Sequence, residues 1–223
     1  MNKALSISGQ QRFIKEGFAS LVKNLKDFEE YDVFIHTWDN DLTEDIQLYD
    51  PCRLQIDKQI DFNTPNIHYS MFYSMKQSLK LIEDYPTKYD CIVRTRFDAF
   101  LNDYVNVEDF VISEGVYAHD ISSNPHVISD WFNFGSQENM MKFASVFDNI
   151  TQYIDKGNVS PASGEEMIVH HLHKVHGINL IKFLGEPNPV MLIRADDFRE
   201  HNPHWHESWC CVSDLPIDQG LNF

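Results

Sequence analysis

With 223 residues, 43% of them hydrophobic and 13% aromatic, the chain is long enough to bury a sizeable core, and its composition excludes a disordered or low-complexity class. A formal charge of -16 argues against a surface that tracks a nucleic-acid backbone, so an anionic ligand needs a local, preformed positive site. No apolar run approaches the roughly 20 residues that span a bilayer, and the N-terminus lacks the basic-then-apolar order of a secretory signal; a soluble, cytoplasmic single domain is expected.

Lys3 to Ser8 (KALSIS) reads as a strand and Gly9-Gln10-Gln11-Arg12 as the turn after it. Apolar residues at Ile14, Phe18, Leu21, Val22 and Leu25 then follow helical spacing. Tyr31 to Trp38 (YDVFIHTW) is β-rich and runs into the acidic loop Asp39-Asn40-Asp41. Residues 69 to 83 put Phe72, Met75, Leu79 and Ile82 on one helical face, Pro86 stops that helix, and DCIVRTRF supplies another strand. Gly115 to Asp120 and Trp131 to Gly135 read as short strands, and residues 138 to 154 as one long helix carrying Met140, Phe143, Phe147, Ile150 and Ile154. Ser163-Gly164-Glu165-Glu166 fits a capping box opening a helix that runs to His176 and stops at Gly177. Ile178 to Leu184 is a strand, and the His-, Trp- and Pro-rich tail from Arg194 is expected to be irregular. Repeated β and α elements with apolar central strands predict an α/β fold: one domain with a mostly parallel central sheet covered by helices on both faces.

Ligands of such sheets sit beyond the carboxyl ends of the strands. Arg94, Arg96 and Asp98 alternate along an extended chain and so share a side, with Thr95 and Phe97 opposite. Two guanidiniums can grip phosphate oxygens by paired hydrogen bonds, and the carboxylate can orient them or hold a divalent cation. The competing reading is a purely structural Arg-Asp-Arg cluster, although burying three charges seldom stabilises a fold. At the first strand end, Gly9 lets a ligand approach the backbone after Ser8, and Arg12 adds a cation near a helix start; an ordinary tight turn would look the same. Neither GxGxxG nor GxxxxGK[ST] is present, so dinucleotide and P-loop classes fall in rank. Trp38 with Asp39 and its acidic neighbours could receive a base, or could be a solvated loop behind a packed indole.

Cys52, Cys91, Cys210 and Cys211 form no CxxC pair and read as packed thiols rather than disulfides or metal ligands. His170, His171, His173 and His176 follow one another on a helix, as zinc ligands or as a polar exposed face. His201, His204 and His206 form a second cluster in the tail.

ALSISGQQR, YDVFIHTWDND, YSMFYSMKQSLKLIE and YDCIVRTRFDAFL, in this order and spacing, resemble the bacterial and viral GT-A glycosyltransferases of lipopolysaccharide and capsule assembly. DWFNFGSQENMMKF and the Glu-Glu pair extend the likeness over residues 3 to 185. The resemblance implies a Rossmann-like nucleotide-binding half over residues 1–112, an acceptor and catalytic half over 113–193, and a tail over 194–223. It implies that Ser8, Gly9, Gln10, Arg12, Asp39, Arg94 and Arg96 hold a nucleotide-sugar donor. Mn²⁺ or Mg²⁺ would sit on an Asp-x-Asp element whose last residue matches Asp98 but whose first is Arg96, with His204 or His206 completing the metal site. Asp130 falls beside the donor sugar and acceptor, and Glu165 and Glu166 where inverting relatives carry a catalytic carboxylate; Asp130 and Glu165 are the candidates for the base that takes the acceptor proton, and Glu166 also fits the capping box. The function implied is transfer of a sugar from a nucleotide diphosphate to a saccharide or glycolipid hydroxyl in polysaccharide biosynthesis, with any approach to the inner membrane face made through a partner. The alternatives are a sugar-phosphate nucleotidyltransferase and a non-catalytic saccharide-binding module on the same fold.

Overall fold

The first apolar run forms β1 (Lys3–Gly9), and its alternating side chains enter two different cores: Leu5 and Ile7 on one face of the sheet, Ala4 on the other. The computed structural model of the chain describes residues 1–40, 43–62, 68–119, 128–183, 190–194 and 209–211. In α1 (Ile14–Asn24), Ile14 and Leu21 are buried, as is Leu25 at its end. Val22, expected on the same face, is 45% exposed, because it stands about 100° round the helix from Leu21. β2 (Tyr31–Trp38) follows, then a 3₁₀ segment (Glu44–Tyr49) and β3 (Arg53–Asp57). β3 was not expected, since its half-exposed residues carry no apolar run.

α2 (Tyr69–Glu83) buries Phe72, Met75, Leu79 and Ile82 completely, each contributing about 1.5–3 kcal/mol by leaving water. β4 (Cys91–Thr95) ends earlier than the apolar run suggested. The chain turns at Arg96-Phe97-Asp98, where Ala99 N–H reaches the Arg96 carbonyl at 3.4 Å, because Phe97 drops fully into the core. β5 (Ala99–Leu101) then leaves the main sheet, and β6 (Val116–His119) and β7 (Phe132–Gly135) return to it.

The expected long helix is two, α3 (Gln137–Ala144) and α4 (Val146–Asp155). Ser145 breaks it: its hydroxyl donates to the Lys142 carbonyl at 2.7 Å and meets His171 Nε2 at 2.9 Å, competing with the helical ladder. α5 (Gly164–Val169) likewise passes into a π-helical segment, His170–Val175, before Gly177 closes it in the left-handed region at φ 66. β8 (Leu180–Phe183) completes the main sheet. The tail, expected to be irregular, contributes β10 (Trp209–Cys211) beside β9 (Val190–Arg194).

Among the described residues the main sheet has seven strands in the order β3-β2-β1-β4-β7-β6-β8. All its pairings are parallel except the two made by β7. A smaller sheet, β10-β9-β5, pairs β5 antiparallel with β9. α1 covers one face together with the β5 and β9 side chains, and α2 to α5 cover the other, so the expected helices on both faces are present. No helix of the described residues is long and apolar enough to cross a membrane.

Candidate functional site

The strand order decides where a ligand can enter. From β1 the chain winds outward through β2 to β3 and then returns across α2 to place β4 on the other side of β1, so the carboxyl ends of β1 and β4 diverge at a topological switch point. A cleft of about 570 Å³ opens there. β1 and the turn after it supply Ser8, Gly9, Gln10 and Arg12; β4 and its turn supply Arg94, Arg96 and Asp98; Trp38 closes the side at β2. Gln59, His68, Ser70 and Met71 form the opposite wall.

Arg94 is the largest fully buried side chain at this point, 1% exposed. Its Nη2 donates to Ser8 Oγ at 3.3 Å, while Nε and Nη1 are buried without any hydrogen-bond partner. Burial lowers its pKa to about 10, against the pull of Asp130, so it stays charged at neutral pH. Buried guanidinium donors without partners are costly. A cleft wall is where such a cost can be repaid by an incoming acceptor.

Arg96 is half-buried and grips Asp98 with two parallel hydrogen bonds, Nε to Oδ1 at 2.8 Å and Nη2 to Oδ2 at 2.9 Å. Its Nη1 lies 3.6 Å from Asp130 Oδ2, an ion-pair distance rather than a hydrogen bond. Burial disfavours its charge, but Asp98 and Asp130 more than compensate and raise its pKa above the ordinary range. Two neighbours fix the turn that carries this pair. Ile193 N–H bonds the Asp98 carbonyl at 2.8 Å, and Gly17 of α1 lies so close that a Cβ there would stand 2.1 Å from the Phe97 carbonyl oxygen.

Asp130 is 5% exposed and immediately precedes Trp131, whose N–H is held by Ser129 Oγ at 3.0 Å. Glu165, in the first turn of α5, is half-buried; burial raises its pKa, the Asp130 charge raises it further, and His68 and Ser163 oppose the shift. His68 belongs to the cleft wall, and its Nε2 meets the Ala162 carbonyl at 3.1 Å. Gly164 lets this contact form, since a Cβ there would lie 3.0 Å from His68 Nδ1. Glu166 is exposed and serves the helix end: Ser163 Oγ accepts its N–H at 3.2 Å, and its carboxylate accepts Ser160 N–H at 3.2 Å. This is the expected capping box with its second arm shifted to Ser160.

Of the other candidates, Asp39 is exposed and takes Gln59 N–H at 3.4 Å, and it is not among the cleft-lining side chains. Trp38 is 2% exposed and stacks on Tyr73 at 5.5 Å, so it offers a rigid wall rather than a free face for a base. The helical histidines do not form a zinc set. His171 is fully buried and bonded on both ring nitrogens, and no group of three His, Cys, Asp or Glu suited to a metal occurs among the described residues. Nor does the cleft fit the expected Mn²⁺ or Mg²⁺ through these residues, because both oxygens of Asp98 already accept from Arg96 and Asp130 lies beyond that same cation. His204 and His206 lie outside the described residues. His68, Gln59, Ser70 and Met71 were missed by sequence reasoning. His68, Ser70 and Met71 meet the strand ends through the placement of α2 and Gln59 through the segment after β3, and no local pattern announces either.

No protein-family model matches the chain, and no curated protein matches it.

Proposed function

We propose that the protein is a glycosyltransferase that moves a sugar from a nucleotide-diphosphate donor to a saccharide or glycolipid hydroxyl. The observation that carries this reading is Arg94: a buried guanidinium with two partnerless N–H groups in the wall of a cleft at the sheet's switch point. In the proposed arrangement Arg94, Arg96 and Arg12 meet the diphosphate, and Ser8, Gly9 and Gln10 border it along the β1 end. Glu165 takes the proton of the acceptor hydroxyl as that oxygen attacks the anomeric carbon. The bond from that carbon to the diphosphate breaks, and the guanidiniums stabilise the charge gathered on the departing oxygen. A raised pKa suits Glu165 to this role, because a base is most effective when its pKa lies near the working pH. Asp130 contributes by keeping Arg96 charged and by raising Glu165.

The reading is tested by thermal unfolding against UDP, GDP, CMP and their sugars, followed by assay for release of free nucleotide. A nucleotide at about 100 times its dissociation constant stabilises the fold by about 2.7 kcal/mol, and Arg94→Gln should remove that gain. Absence of a shift with every nucleotide would remove the donor-site assignment. The presence of Arg96 where the resemblance calls for an acidic residue favours a second reading, a saccharide-binding module without turnover. It predicts glycan binding with no nucleotide release. A nucleotidyltransferase would release pyrophosphate instead, so product analysis separates all three.

A further inference from the structure

We infer that this cleft binds the diphosphate of its ligand without a divalent cation: Arg94 supplies the countercharge, and Asp98 serves to hold Arg96 in place. The inference rests on the donor site proposed above and assigns its counterion. Magnesium and manganese sites are built from several oxygen ligands in near-octahedral array, with carboxylates as the usual anchors. Here the cleft's own carboxylate, Asp98, has both oxygens engaged in a two-pronged pair with Arg96 at 2.8 and 2.9 Å. A cation seated on Asp98 would have to use the lone pairs that Arg96 leaves, on a carboxylate whose charge that guanidinium already neutralises, and remain beside a second positive charge. The next carboxylate, Asp130, stands 3.6 Å from the same guanidinium on its far edge.

The buried cation of the cleft, by contrast, is incompletely paired. Arg94 is 1% exposed, tethered only through Nη2 to Ser8, and keeps Nε and Nη1 unpaired in the cleft wall. These two N–H groups stand on different edges of the guanidinium, with Nη2 between them held by Ser8, so each can donate to a separate phosphate oxygen. Arg12, exposed at the mouth, adds a further cation. Asp98 then has a reason to be there other than metal binding: it holds the Arg96 guanidinium in place through Nε and Nη2.

The test is calorimetric titration of the full chain with inorganic pyrophosphate and with UDP, GDP and CMP, each in EDTA and again with Mg²⁺ or Mn²⁺. Pyrophosphate is expected to bind in EDTA, with added metal tightening it by less than about threefold, a change under 1 kcal/mol. Arg94→Lys, which keeps the charge but loses the separate Nε and Nη1 donors, should weaken binding about tenfold or more. Should that variant fold poorly, Asp98→Asn provides an independent reading: by loosening Arg96 it should weaken binding by the same factor in EDTA and with metal. Binding that appears only with metal, or metal-dependent binding that vanishes in Asp98→Asn, overturns the inference while leaving the glycosyltransferase reading standing. Pyrophosphate binding in EDTA with no nucleotide binding does the reverse. No binding of pyrophosphate under either condition overturns the inference outright.

Discussion

Arg94 and His171 are both buried nitrogen-rich side chains, 1% and 0% exposed, yet they differ in how their polar atoms are used. His171 is fully engaged: Nε2–H is shared between the Lys142 carbonyl and Ser145 Oγ, each at 2.9 Å, and Nδ1 accepts the Tyr153 hydroxyl at 2.6 Å. Because the Lys142 carbonyl can only accept, the proton sits on Nε2. Burial then lowers the ring's pKa to about 4, and it is neutral in the folded protein. Arg94 keeps its charge and leaves two donors unmatched. The first arrangement knits α3, α4 and the π-helical segment together; the second carries an unmet demand at an opening. What separates the two side chains is whether their hydrogen bonds are complete, not how deeply they lie.

Four outcomes put that contrast at risk. The largest concerns transfer: Glu165→Gln should slow sugar transfer by about 10²- to 10⁴-fold, read as release of nucleotide, while donor binding is unchanged. Loss of donor binding in the same variant would place Glu165 with the phosphate site instead. Next comes acid sensitivity from His171. Its folded pKa of about 4 lies below the ordinary 6.5, so the unfolded chain binds the extra proton, and the stabilisation present above pH 6.5 is lost as pH falls toward 4. Urea unfolding across that window should register a fall of about 3 kcal/mol that is flattened in His171→Gln. Tyr153→Phe removes the donor to Nδ1 and should cost about 1–3 kcal/mol in urea unfolding with nucleotide affinity intact. The smallest is Arg94→Met, expected to change stability by within about 1 kcal/mol while abolishing diphosphate binding. If that variant unfolds, Arg94 is structural and the contrast fails.

Much of the fold is legible in local pattern. The bounds of β2 and α2 match the apolar runs residue for residue, because a continuous run in a buried parallel strand and a stripe of Phe72, Met75, Leu79 and Ile82 leave little choice of register. Features set by distant contacts were not legible. The break at Ser145 depends on His171, 26 residues away, and the early end of β4 depends on Phe97 finding a place in the core. β5 is three residues long and belongs to a sheet whose other strands lie far along the chain. At the site, Arg94, Arg96 and Asp98 were found together because three strand-end charges are conspicuous in an acidic chain, and they do line one cleft. What the sequence could not disclose was how those charges divide, with Asp98 committed to Arg96 and Arg94 left with Nε and Nη1 unpaired.

The hydrogen bond from Ile193 N–H to the Asp98 carbonyl also bears on how the molecule is made. A ribosome delivers β1, β2 and β4 early, so the arginines can collect at the sheet's edge while most of the later segments are still being translated. The turn that holds them, packed from one side by Gly17, gains its second fastening when β9 lies down beside β5, with Leu192 opposite Ala99. A nascent chain halted before Val190 therefore carries the cleft's charges without its clasp.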